Sequence, residues 1–279
     1  MARIVMGNRD GAEALRQART VLTELNAEWP DVPIIQRTVR GSEPDALAQA
    51  LLSGEIGLAV QAADTLPLTL PEGVNLAAVT RRQEARSALV TRGGRTLEGL
   101  EEGTTVAVQA GRDEAVLAAL RPDLTLEPLG AHLDDDLARL TRDEVHALLL
   151  PAATLLTLDH RNRLSVLLDP EVFPPAPGQG ALAILVREDD DAAFELAYTL
   201  QHRASLDRLK AERAFAAGLS GELVGALASI DADGDLSLFG AVFHEGTTMQ
   251  ASTTGDASDA VTMGQELASD VREQLSTLT

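Results

Sequence analysis

The sequence predicts an α/β protein of two lobes with similar plans, followed by a small C-terminal α+β domain. Three observations carry that prediction. A length of 279 residues exceeds one average domain. Strand-like and helix-like segments alternate through the first half, and the last third reads as a hairpin followed by one amphipathic helix. Taken in order, Arg3–Met6 is strand-like, and from Ala12 the apolar residues Ala14, Leu15, Ala18, Val21, Leu22 and Leu25 recur at helical spacing. Pro33–Val39 is again strand-like, Asp45–Leu52 helical and Ile56–Val60 a short buried strand. This βαβαβ order predicts a parallel sheet with helices on its faces.

A second series repeats the plan through Leu76–Val79, Ser87–Thr91, Thr104–Val108, a helix Asp113–Leu120, a strand Leu124–Leu129, a helix Asp134–Arg142 and the apolar strand Ala147–Leu150. Pro151-Ala152-Ala153 opens a short helix through Leu158. Pro174-Pro175-Ala176-Pro177-Gly178-Gln179-Gly180 is rigid punctuation before the apolar stretch Ala181–Val186. Helices are expected over Asp191–Arg203 and Ala204–Leu219. Strands Leu227–Asp231 and Leu236–Phe243 are joined through Asp233-Gly234 as a hairpin. Ala260, Met263, Leu267, Val271, Leu275 and Leu278 form one apolar stripe that would cover a small sheet.

Composition excludes several function classes. Apolar residues make up 45% of the chain and charged ones 24%, as in a soluble globular protein. No apolar run reaches the roughly 18 residues of a membrane span, and Met1-Ala2-Arg3-Ile4-Val5 enters a strand without the regions of a signal peptide, so a cytoplasmic location is expected. Forty-three acidic against 23 basic residues give a net charge of −20, which disfavours nucleic acid and anionic lipid as partners. That charge fits either a high-salt cytoplasm or an Arg-biased genome with ordinary acidity. Zero cysteines remove disulfides, thiolate metal sites and cysteine nucleophiles together.

Few residue patterns point to chemistry. His132, His146, His160, His202 and His244 are scattered without a pair at helical or strand spacing, so no metal site is expected. Consecutive Asp134-Asp135-Asp136 on a helix point in different directions and read as a solvated helix start. Asp231-Ala232-Asp233-Gly234-Asp235 is superficially like a calcium loop, but Val242 stands at the twelfth position where such loops carry glutamate, and the segment lies between strands. No phosphate-binding loop, nucleophile elbow or zinc helix occurs.

Several strings, in this order along nearly the whole chain, resemble the porphobilinogen deaminase (hydroxymethylbilane synthase) family. They are Asn8-Arg9-Asp10-Gly11 with Ala14-Leu15-Arg16-Gln17-Ala18, Arg40-Gly41, Gly57 to Pro67 with Pro71-Glu72-Gly73, Arg121-Pro122-Asp123-Leu124, Pro174 to Gly180, and Ala211-Glu212-Arg213-Ala214-Phe215 with Leu219-Ser220-Gly221. The resemblance implies two lobes like those of periplasmic binding proteins, with an active site between them, and a third α+β domain. The corresponding boundaries are 1–82 with 176–196 for the first lobe, 83–175 for the second and 197–279 for the third.

The resemblance also implies a dipyrromethane primer, thioether-linked to a cysteine, that is extended by four pyrrole units with loss of ammonia. Here the cysteine position falls on Leu223, or on Glu222 with a one-residue gap. The catalytic aspartate position holds Thr65, and the preceding lysine position holds Asp64. Gln61 and Ala62 stand for a histidine and a serine. The Ser-Leu-Arg-Arg string falls on Ala110-Gly111-Arg112-Asp113, and the Leu-Arg-Gly-Asn-x-x-Thr-Arg string on Leu129 to Asp136, losing both arginines. Arg9 and Arg112 are the surviving candidates for substrate contact, with Gly178-Gln179-Gly180 as an inter-domain turn. Between Gly41 and Ile56 the chain is shorter than in the family, which removes a mobile loop over the cleft.

A hydroxyl at position 65 cannot offset a developing cation. Against a polycarboxylate substrate, each like-charge pair costs about 4 kcal/mol at 4 Å and an effective dielectric near 20, in place of a comparable attraction. The expectation is therefore a family homologue in tetrapyrrole biosynthesis that keeps the scaffold, lacks deaminase activity, takes no cofactor and acts as a binding or partner protein, its partner a small-molecule ligand or a protein of the pathway. Two alternatives stand beside it. One is an active hydroxymethylbilane synthase with an unlinked primer; Asp64 could then take the missing carboxylate's place, and Arg81, Arg82 and Arg86 that of the lost arginines. The other is a small-molecule binding protein that uses the interlobe cleft.

Overall fold

The computed structural model describes residues 3–41, 43, 45–109, 111–244 and 247–277. In chain order, β1 (Ile4–Arg9), α1 (Ala12–Glu28), β2 (Ile34–Val39), α2 (Ala46–Leu52), β3 (Leu58–Ala62) and β4 (Val74–Val79) lead to β5 (Ser87–Thr91), β6 (Thr105–Val108) and α3 (Arg112–Leu120). Then follow β7 (Thr125–Pro128), α4 (Leu133–Thr141), β8 (Ala147–Pro151), α5 (Ala152–Thr157) and the two-residue β9 (Val166–Leu167). Beyond Gly180 come β10 (Leu182–Arg187), α6 (Asp191–Tyr198), α7 (Arg203–Gly218), β11 (Leu223–Ile230), β12 (Asp235–His244), β13 (Thr247–Asp256) and α8 (Ala260–Ser276). Together they form two α/β sheets of five strands and a three-stranded antiparallel sheet with its own helix. Contacts divide the chain into two units, Met1–Gln83 with Gly180–Asp207 and Glu84–Gln179 with Arg208–Thr279.

In the first unit the strand order is β2-β1-β3-β10-β4. Strand β1 runs parallel to β2 and β3, with Ile4 opposite Ile34 and Met6 opposite Leu58. The parallel sheet expected from the βαβαβ alternation becomes a mixed one, because β10 enters antiparallel between β3 and β4. Leu58–Val60 and Ala183–Val186 are buried residue after residue, as central strands covered on both faces must be. From the predicted α1 stripe, Ala18, Val21 and Leu25 are fully buried in one core with Met6, Leu58, Val60 and Ile184. Burying such a Val or Leu side chain contributes about 1.5–3 kcal/mol.

The second unit carries the sheet β7-β6-β8-β5-β9. There β6 is parallel to β7 and β8, while β5 is antiparallel to β8 and β9. The same unit contains β11-β12-β13, an antiparallel meander. Its hairpin turns where expected: Asp231 Oδ1 accepts the N–H groups of Asp233 and Asp235, both at 3.0 Å, and Gly234 takes the positive φ of +95°. Strand β13 was not expected. None of its side chains is fully buried, and its half-buried face brings only Met249 and Ala251 to the core, so the apolar alternation that marks a strand is weak. Helix α8 buries Ala260, Met263, Leu267, Val271 and Leu275 as the stripe requires; Leu278 lies outside the described residues. Gly264 allows α8 to approach α7, where a Cβ would stand 2.3 Å from the Ala211 carbonyl oxygen. Among the described residues no helix is long and apolar enough to cross a membrane.

Candidate functional site

Open parallel sheets present their ligand-binding loops at the carboxyl ends of the strands. The first unit gathers three candidates at such an edge. Arg9 closes β1, and the adjacent, parallel β3 runs out at Ala62 into a single 3-10 turn, Ala63–Thr65, that holds Asp64 and Thr65. Gln61 and Ala62 are ladder residues, opposite Ala183 and Leu182. The turn is fixed from below, since Ala63 N–H donates to the Ala181 carbonyl at 2.9 Å. Thr65 is exposed, and its hydroxyl donates to the Ala62 carbonyl at 2.7 Å. The Arg9 guanidinium donates to the Glu43 carbonyl at 2.5 Å and so tethers the loop after β2. Beneath this edge lies a polar pair that sequence reasoning missed: Asn8, fully buried, accepts from Gln36 Nε2 at 2.9 Å and donates to the Arg9 carbonyl at 2.7 Å.

Arg112 belongs to the other unit, at the first turn of α3. Its Nε donates to the Val224 carbonyl at 2.9 Å, Nη1 to Asp113 at 2.6 Å and Nη2 to the Pro174 carbonyl, while its guanidinium carbon stands 6.0 Å from the Phe173 ring centroid. Thus Arg112 fastens α3 to β11 and to the Pro174 turn. Ala110, in the same string, lies outside the described residues. Arg86 donates through Nε and Nη2 to both Glu84 oxygens, at 2.9 and 2.8 Å, and this fork holds the Glu84 carboxyl below its usual range. Burial pushes the Arg213 guanidinium below its ordinary value.

The three consecutive aspartates do point apart, but the solvated helix start expected for them is corrected at Asp136, which is buried. Asp136 accepts from Gly130 N–H at 2.9 Å and Arg139 Nη1 at 3.1 Å, whereas exposed Asp134 reaches His160 Nε2 at 3.0 Å. Among the described residues no group of three or more histidine, aspartate and glutamate side chains is arranged to hold a metal ion.

At the position expected for the cysteine, Glu222 Oε2 is 2.9 Å from His244 Nδ1, and Leu223 opens β11 opposite Phe243, packed against the core that contains Phe173 and Ala241. The Gly-Gln-Gly turn is built from buried bonds. Gln179 Nε2 donates to the Ala85 carbonyl at 2.7 Å and to Ser87 Oγ at 3.2 Å, and Gly178, at φ +88°, donates its N–H to Glu212 Oε2 at 2.7 Å. Glu212, wholly buried on α7, also accepts from Ala228 N–H at 2.7 Å. Its flanks, Ala211 and Phe215, were the only sign in the sequence that this glutamate faces inward.

A model of the porphobilinogen deaminase family, described as its dipyrromethane cofactor-binding domain, matches residues 4–195. The porphobilinogen deaminase of Thermus thermophilus is 40% identical over 97% of this chain and 96% of its own length, and that of Deinococcus radiodurans 35% identical over 98% and 96%. The periplasmic aliphatic sulphonate-binding protein of Escherichia coli has a solved structure that covers 78% of this chain and 79% of its own, at 18% identity and a TM-score of 0.46.

The match to a cofactor-binding domain overturns the expectation that the chain takes no cofactor. That expectation equated loss of the anchor with loss of the binding surface, and these are separate things. The donor set does not fit a thioether, because the chain contains no sulfur nucleophile and Leu223 and Glu222 are engaged as described. With the model spanning residues 4–195 and relatives aligned along nearly the full length, the chain belongs to the porphobilinogen deaminase family.

Proposed function

We propose that this protein keeps the deaminase scaffold, has lost the deaminase chemistry, and serves tetrapyrrole biosynthesis in the cytoplasm as a binding or partner protein. One observation carries the reading: the group at the expected carboxylate position is the Thr65 hydroxyl, engaged with the Ala62 carbonyl, and it offers no negative charge to a pyrrole cation. The absence of any thiol supports it further. In this reading the chain is organised as 1–82 with 176–196, 83–175 and 197–279, and its partner is a small molecule or a protein of the same pathway. Arg9, at the strand edge, is the stronger candidate for ligand contact; Arg112 already uses Nε, Nη1 and Nη2 within its unit. Dipyrromethane would be held by packing and hydrogen bonds alone.

The test is incubation of the full-length protein with porphobilinogen, following hydroxymethylbilane and its cyclised product. No turnover is expected. Sustained turnover would favour the second reading, an active transferase with an unlinked primer, which gains support from the 40% identity to the Thermus thermophilus deaminase.

A further inference from the structure

The second sheet has two ends, and Arg112 opens α3 beyond only one of them, the carboxyl end of β6. At its opposite end, where the parallel strands β6 and β8 begin, an open surface pocket of about 540 Å³ is lined entirely by residues of the second unit. That volume falls in the range of roughly 300–1,000 Å³ typical of small-molecule sites. The four residues of β6 put it about 13 Å from the carboxyl edge that leads to Arg112. Its floor is Thr91, Leu100 and Thr104, and its rim carries Arg92, Arg95, Glu101, Glu102 and His146.

The rim is positioned by the backbone. Arg95 N–H donates to Thr91 Oγ1 at 2.9 Å, and His146 and Thr105 bond each other reciprocally. In that exchange His146 N–H donates to the Thr105 carbonyl at 2.9 Å, while Thr105 N–H donates to His146 Nδ1 at 3.1 Å. Because Nδ1 accepts, the neutral imidazole carries its proton on Nε2 as a donor. Arg92 pairs with Asp143, and Arg95 with Glu101 at 3.0 Å; all four side chains are more than half exposed. Such exposed pairs contribute little and are displaced readily. Glu102 makes no hydrogen bond or ion pair among the described residues.

We infer that this pocket binds a small zwitterion, its carboxylate taken by Arg92, Arg95 and His146 Nε2 and its ammonium by Glu101 and Glu102. The charge pattern selects that class. The lining holds two arginines and two glutamates, with Arg95 paired to Glu101 and Arg92 to Asp143 outside it, so a simple anion must displace those carboxylates and a simple cation must displace the arginines. A molecule bearing both charges answers both without changing the net charge. This inference is independent of whether the chain has deaminase activity.

The experiment titrates the 15N-labelled full chain with 4-aminobutanoate and, separately, with butanoate and butylamine. The zwitterion is expected to shift the amide signals of Gly93, Gly103 and Thr104 saturably, with a Kd on the order of 1 mM, while each singly charged analogue moves them far less. Arg95→Gln and Glu102→Gln, both at exposed positions, should each weaken binding about tenfold with an unchanged thermal midpoint. The double exchange Arg95→Glu with Glu102→Arg should restore it. Absence of a saturable shift, equal binding of a singly charged analogue, or indifference of both single variants would overturn the proposal.

Discussion

The knot around Glu212 and the edge around Thr65 both coincide with strings that the family resemblance rests on, yet they are built in opposite ways. Glu212, Gln179 and Gly178 are buried and bonded to one another's surroundings through backbone groups of three segments, the Pro174 turn, the start of β5 and β11. At the edge, Thr65 is exposed and, among the described residues, its hydroxyl bonds only to a carbonyl three residues away. A residue in the knot can change only if several polar groups lose partners at once; a residue at the edge can change without cost to the fold. The difference explains how a chain can keep a family's architecture while its exposed strand edges vary.

That contrast predicts a graded series. Glu212→Ala leaves the Gly178 and Ala228 N–H groups buried without acceptors and should lower stability by about 3 kcal/mol, read as a shift of the urea midpoint at constant slope. A loss under about 1 kcal/mol would mean that water or rearrangement replaces the carboxylate and that the knot is not rigid. Gly264→Ala, which pushes a Cβ into the Ala211 carbonyl beside the same glutamate, should cost about 2 kcal/mol.

Glu84→Gln probes a partly exposed fork and should cost only about 0.5 kcal/mol at neutral pH once solvent screening is allowed for. Because the folded-state carboxyl is held below its unfolded value, its contribution is present above about pH 4.3 and fades as the pH falls through the lowered value. The stability curves of Glu84→Gln and the parent should therefore converge in acid; a gap that persisted there would assign the effect to packing. Thr65→Asp should leave stability within about 0.5 kcal/mol. A larger loss on thermal unfolding would show that the edge is as constrained as the knot.

Local periodicity made much of the fold legible. The spacing of Ala18, Val21 and Leu25 located α1, the continuous apolar runs located β3, β8 and β10, and Asp233-Gly234 located the hairpin. What stayed hidden depends on contacts far apart in sequence. Nothing local to Ala181–Val186 says that the strand runs antiparallel between β3 and β4, and little in the Thr-rich segment 247–256 signals a strand whose one half-buried face offers only Met249 and Ala251 to the core. At the candidate site, the positions that the resemblance assigns to the aspartate and the cysteine could be read directly as Thr65 and as Leu223 or Glu222. The burial of Asn8 and Glu212 could not, because each is satisfied by backbone groups or side chains whose proximity only the fold creates.

The insertion of β10 also sets an order of assembly. The first sheet begins at Ile4 but lacks its fourth strand until residue 187 has left the ribosome, whereas the second sheet draws all five strands from one uninterrupted stretch between Ser87 and Leu167. Vectorial synthesis therefore inverts the written sequence: the portion translated later can close its sheet first, while the earlier portion waits with β3 and β4 unjoined.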